Sequence, residues 1–118
     1  MPERFTKRER ATLRELASEA HLSELNEALA SLYEEFCKWG GDGISAFDLN
    51  DKIHEFHDGD SRDLYKTYIL GNTEVAVAIG ISRKTINPSQ LDEGLREKIA
   101  PIIEVFERMK KADENDTT

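Results

Sequence analysis

Apolar residues recur along this chain at helical spacing. Leu13, Leu16, Ala17 and Ala20 are followed by Leu25, Leu29, Leu32, Phe36 and Trp39, the last five separated by 4, 3, 4 and 3 positions. Such a stripe lies along one side of an α-helix. The phase of the pattern slips around His21-Leu22-Ser23, but no glycine or proline interrupts the run. The run is therefore one long helix from about residue 6 to 39 or two helices with a break there, and one is the preferred reading. Thr6 followed by Glu9 has the form of a capping box, in which a hydroxyl and a carboxylate three positions apart satisfy each other's backbone amides. Gly40, Gly41 and Gly43 are expected to close the helix by supplying left-handed backbone positions.

The same signals set out the rest of the chain. Ser45 with Asp48 opens a second helix, with Ile44 and Leu49 placed for a hydrophobic staple. Ala46, Leu49, Ile53 and Phe56 form its apolar face, and Asp58-Gly59 reads as its end near His57. Asp60 or Ser61 caps a third helix carrying Leu64, Tyr65, Tyr68 and Ile69, which Gly71 ends. Thr73 caps a short fourth helix through Val75, Ala76 and Ile79. Asn87-Pro88, with Gln90 completing the box, opens a last helix carrying Leu95, Ile99, Ile102, Phe106 and Met109, again at 4, 3, 4, 3. Pro101 kinks or splits it. The expectation is an all-α bundle of four to five helices in one domain, residues 1–118, with 1–5 and 111–118 frayed. The seams of the two longest helices either pack antiparallel or face a second copy of the chain.

Composition narrows the setting. Hydrophobic residues are 38% and charged residues 34%, polar for a globular chain but not a disordered one. No apolar run is long enough for a membrane span or placed as a secretory signal. A single cysteine excludes an internal disulfide, so a soluble cytoplasmic protein is expected, with Cys37 a small core residue. The net charge of -8 opposes non-specific binding to nucleic acid. The charge is uneven: Arg4, Lys7, Arg8, Arg10 and Arg14 cluster at the start, and acids dominate from Asp42 to Asp63. A basic end of this kind suits docking to an acidic partner.

The densest chemistry is "IHEFHDGDSRDLYKTY", residues 53–68. His54 and His57 are three apart with Asp58 adjacent, a permissible but unspecific metal-ligand set. The zinc-protease pattern is not met, because the second histidine follows Glu55 one position too early. A helix junction, with His57 half-buried on the apolar face and turn residues between caps, accounts for every residue, and neither a metal nor another cofactor is assigned.

The stretch "EVAVAIGISRKTIN", residues 74–87, resembles the helix-turn-helix of DNA-binding regulators. Ala76, Gly80, Ile81 and Ser82 match its first helix and turn, and Thr85 and Ile86 match the start of its recognition helix. The resemblance implies a regulator that reads duplex DNA with this segment. Pro88 falls where the recognition helix would continue, and only Arg83 and Lys84 supply local positive charge. A short helix with a glycine-containing turn is the preferred reading.

No nucleophile elbow, phosphate-binding loop or Cys-x-x-Cys pair is present. The expected function is therefore that of a small helical protein that binds another protein, as an adaptor or an antitoxin- or inhibitor-like partner, or binds itself. Arg8, Arg10 and Arg14 would meet an acidic partner, and Tyr33, Trp39 and Tyr65 would be apolar anchors. The aromatic residues are otherwise expected to close the core around the second helix. DNA binding through residues 74–87 and metal binding at His54, His57 and Asp58 are the alternatives.

Overall fold

Thr6 begins the first helix as its spacing requires. Its hydroxyl accepts from the Glu9 amide at 3.1 Å, and the Glu9 carboxylate accepts from the Thr6 amide at 2.8 Å. In the computed structural model, which describes residues 4–116 and side chains through 113, helix α1 then runs unbroken over Lys7–Gly40. The phase slip near Leu22 therefore marks a change of partner along one continuous helix.

Gly40 is still helical and Gly41 is the cap. None of the glycines adopts positive φ, and Asp42, with φ of 62°, takes the left-handed position instead. A short polar side chain tolerates that region. Gly43 serves by close approach: its amide donates to the Lys38 carbonyl at 2.7 Å, and a Cβ there would lie 3.1 Å from that oxygen. Ser45 and Asp48 form the second capping box as expected.

The expected break at Asp58-Gly59 does not occur. Helix α2 spans residues 46–70: α-helical over Ala46–Phe56, π-helical over His57–Ser61, α-helical over Arg62–Tyr65 and π-helical again over Lys66–Leu70. The spacing of the apolar residues explains this. Leu49 and Phe56 are seven apart, two α-turns, but Leu64 and Tyr68 follow at eight and four. Continued α-winding would turn Asp60, Asp63 and Thr67 inward. The wider π-turns absorb the extra residue, and Leu64 and Tyr68 are the buried ones.

Asn72 caps α3 (Thr73–Ser82) without a side-chain hydrogen bond, one position before the expected Thr73. The Asn87–Gln90 capping box forms, but on a single 3-10 turn, Pro88–Gln90. Helix α4 (Glu93–Asp116) starts later, where Asp92 accepts from the Leu95 amide at 2.8 Å. Pro101 lies inside α4 without splitting it. Pro101 and Glu97, the residue whose carbonyl loses its helical donor, are both exposed, so water can satisfy that oxygen. Of the ends expected to fray, Phe5 is in the core and α4 continues to Asp116. Residues 1–3 and 117–118 lie outside the described part.

The molecule is a four-helix, all-α structure with no strand among the described residues. Its core gathers Leu13, Leu16, Ala17 and Ala20 of α1, Leu64 and Tyr68 of α2, Ala76 and Val77 of α3, and Leu95 and Ile99 of α4, with Phe5, Ile86 and Leu91. Burying each large apolar side chain contributes about 1.5–3 kcal/mol. The seams of the two long helices do not pack along each other, the first of the two arrangements expected for them. Helix α3 is the main partner of α4 and sits between it and α1.

Beyond Ala20 no residue of α1 is buried, and Leu49 is the one buried residue among 46–56. These two stretches form an antiparallel arm that projects from the core. The molecule measures 58 × 37 × 26 Å with a radius of gyration of 17.8 Å. A compact chain of this length would have about 13–14 Å.

Candidate functional site

The arm carries what sequence spacing alone could not reveal. Helix α2 lies against the α1 side of Ala28, Ser31, Leu32 and Glu35, and Lys52, Glu55, Phe56, Gly59 and Asp60 complete a groove of about 310 Å³ between the two helices. A second hollow continues it toward the core, lined by Glu24, Glu27, Asp60, Asp63 and Arg83. This edge of the arm is polar and mostly acidic.

The other side of α1 is different. At about 100° per residue, Glu24, Glu27, Glu34, Glu35 and Lys38, which are all the charges between Leu22 and Gly40, fall within one arc of about 100°. The outward arc holds Leu22, Ser23, Asn26, Leu29, Ala30, Tyr33, Phe36 and Cys37. None is charged, and every one is exposed. Leu22 is 61% exposed and Tyr33 67%. Leu22, Leu29 and Phe36 are seven apart, a repeat that keeps one row in line along the helix. In a chain with 34% charged residues, this solvent-facing helix surface runs for about four and a half turns without a charge.

The base of the arm is fixed by one carboxylate. Glu24 on α1 accepts from the Tyr68 hydroxyl of α2 through Oε2, and from the Arg83 guanidinium after α3 through Oε1 at 2.8 Å. His21 stacks on the Tyr68 ring, with centroids 5.6 Å apart. Burial first, and then the hydrogen bond to Glu24, push the Tyr68 phenol well above the usual tyrosine range. These contacts tie α1, α2 and α3 together and aim the arm.

The residues singled out from sequence fall in several places. Tyr33 and Trp39 stand exposed toward the arm's tip, and Phe36 with them, so the aromatic residues there do not close the core. The reason is the register of α2, which covers the Ala28–Leu32 side and leaves the next face open. Tyr65 is exposed nearer the base and shares a shallow hollow with His57, Asp58, Ser61 and Arg62. Of the aromatic residues on α1 and α2 singled out from sequence, Tyr68 is the one that enters the core. Cys37 is exposed rather than buried, with Tyr33 one turn away; contact with its thiol shifts the Tyr33 phenol upward.

His57 is exposed, not half-buried, because the core face of α2 runs through Leu49, Phe56 and Leu64. His54 and Asp58 are exposed too, and among the described residues no three histidine, cysteine or acidic side chains are grouped to hold a metal ion. The basic residues do not form one patch. Arg8 points about 160° away from Arg10 and about 120° from Arg14 around α1. Arg10 donates to the Phe5 carbonyl at 3.0 Å, and Arg14 lines a hollow with His21, Tyr68 and Ile69.

In the stretch resembling a helix-turn-helix, Ala76 and Gly80 are buried in α3. Thr85 and Ile86 open no helix. Both amides turn back to the Gly80 carbonyl, at 2.9 and 3.0 Å, and Lys84 between the two segments has φ of 66°. Ile86 is core, packed over Gly80.

Sequence spacing named Leu29 and Phe36 as seam residues but missed Leu22, Ser23, Asn26 and Ala30 as members of an outward face. The signal that finds them is the angular segregation of charge. Comparison with models of protein families, with curated proteins and with solved structures finds no match to this chain.

Proposed function

We propose that this chain is a helical interaction protein whose arm docks against a protein surface. The observation that carries this reading is the exposed, uncharged face of α1 from Leu22 to Cys37. A free helix face of this composition gains from burial, since each large apolar side chain removed from water contributes roughly 1.5–3 kcal/mol. Leu22, Leu29, Tyr33 and Phe36 are the anchors, and Trp39 extends them toward the tip. Ser23 and Ala30 beside the row are small enough to let a partner helix approach closely. Among the arginines, Arg8 and Arg14 serve as peripheral contacts for acidic groups. The polar edge between α1 and α2 stays in water. No helix among the described residues is long and apolar enough to cross a membrane. An exposed free thiol at Cys37 suits a reducing compartment, and we place the protein in the cytoplasm.

The test is site-specific photo-crosslinking in the native host. A crosslinking amino acid at Tyr33 captures a protein covalently, and the same group at Glu27, on the charged arc, does not. Equal capture at both positions, or none at either, removes the reading.

A further inference from the structure

We infer that the occupant of the arm's open face is a second copy of this chain, with the two α1 arms antiparallel about an axis at Leu29. This rests on the docking reading above and names its partner. The row is self-complementary. Leu29 lies at its centre, with Leu22 seven residues before and Phe36 seven after. A two-fold axis through Leu29 therefore sets Leu22 against Phe36 of the other copy, Leu29 against Leu29, and Asn26 beside Tyr33. In an isologous contact the same patch serves both sides, and this row meets that requirement along its whole length.

Charge supports the same occupant. The chain is acidic, so two copies repel wherever their charged surfaces meet. The five charges of α1 between Leu22 and Gly40 all lie on the arc turned away from the proposed axis, so this helix brings no like charges to the contact. An arginine- or lysine-rich partner would find nothing to pair with on this face.

The area is sufficient. The row from Leu22 to Gly40 is about 28 Å long, and two helices side by side are about 20 Å across. That offers on the order of 500 Å² per copy and about 1,000 Å² in all, the lower bound for a specific interface. The product is a four-helix bundle made of two arms, with the two cores at opposite ends. The elongated shape of one copy is what such an assembly needs.

Sedimentation velocity and light scattering on the full chain test this. A reversible dimer is expected at concentrations on the order of 100 µM, the range an interface of this size supports. Raising ionic strength tightens it, because screening weakens the repulsion between acidic copies. Leu29→Glu and Tyr33→Glu each abolish the dimer, while their helical circular dichroism stays unchanged, since neither residue is in the core.

Orientation is read in a Cys37→Ser background. Chains carrying Leu22→Cys and Phe36→Cys form a disulfide-linked dimer when mixed and oxidised by dissolved oxygen with a copper catalyst, and neither does alone. Like positions lie about 21 Å apart in the antiparallel arrangement. Crosslinking of each variant with itself overturns the antiparallel contact. A strictly monomeric chain overturns the second copy as occupant, while capture of a different protein at Tyr33 would leave the docking reading standing.

Discussion

Ile86 occupies the space that a side chain on Gly80 would need: a Cβ built on Gly80 lies 2.6 Å from Cδ1 of Ile86 and 3.0 Å from its Cγ1. Ile86 is itself 3% exposed, so its end has little room to swing away. Gly80→Ala adds helix propensity of about 1 kcal/mol but overpacks the core by about 1–3 kcal/mol. We expect a net loss of about 1 kcal/mol in urea unfolding. Ile86→Val removes the Cδ1 methyl, so the double variant should be less destabilised than the two losses added. Simple additivity would show that the contact is not what requires glycine.

Gly59 gives a prediction of opposite sign. It lies within the first π-turn, has no positive φ, and a Cβ there would meet nothing within 4 Å. Gly59→Ala should therefore stabilise the protein by about 0.5–1 kcal/mol, the ordinary gain in a helix interior. A loss of similar size would mean that the chain breaks at Asp58-Gly59 after all.

That contrast shows what was legible beforehand. The capping boxes at Thr6 and Ser45 were readable because a cap is a local device, complete within four residues. The all-helical class followed from periodicity, and the unbroken α1 from the absence of glycine and proline across its phase slip. The passage through Gly59 was misread because Asp-Gly is a stop signal when judged locally. The decisive cue was the spacing of Phe56, Leu64 and Tyr68, which fits only if the winding loosens. The pairing of helices was not legible at all, since α1 and α4 carry similar seams and α3 settles the matter by lying between them. The open face was partly legible. Leu29 and Phe36 were visible in the seam, but Leu22 was not, and neither was the side that α2 would cover.

Glu9 should make the contact between the start of α1 and Lys98 of α4 acid-sensitive. Its carboxylate accepts from Lys98 Nζ at 2.6 Å as well as from the Thr6 amide, and the lysine contact first, then the amide, hold its pKa below the usual glutamate range. A depressed folded-state value stabilises the protein above the unfolded value of about 4.3, and the contribution is lost as pH falls through the folded value. Melting temperatures of the wild type and Glu9→Gln should differ at neutral pH and converge in acid. A difference that persists unchanged in acid would mean the carboxylate's charge plays no part.

Tyr68 should behave in the opposite sense. Its phenol is raised, so its contribution is present below the unfolded value, near about 10, and is lost at more alkaline pH. In an ultraviolet titration Tyr68 should remain un-ionised past the normal tyrosine range, and the Tyr68→Phe variant should lack that late step. The variant should also lose about 1–2 kcal/mol, because Glu24 Oε2 gives up a partner in a half-buried site. An unchanged late step would assign it to another tyrosine.

The distribution of buried residues along α1 has a kinetic consequence. Leu13, Leu16, Ala17 and Ala20 lie in the core, whereas nothing beyond them is buried. Backbone amides around Leu13 to Ala20 should exchange with solvent only when the whole domain opens. Those toward Trp39 depend on far fewer contacts and can exchange through opening of the arm alone. One continuous helix should therefore show steeply graded amide protection, and whatever covers the arm would flatten that gradient.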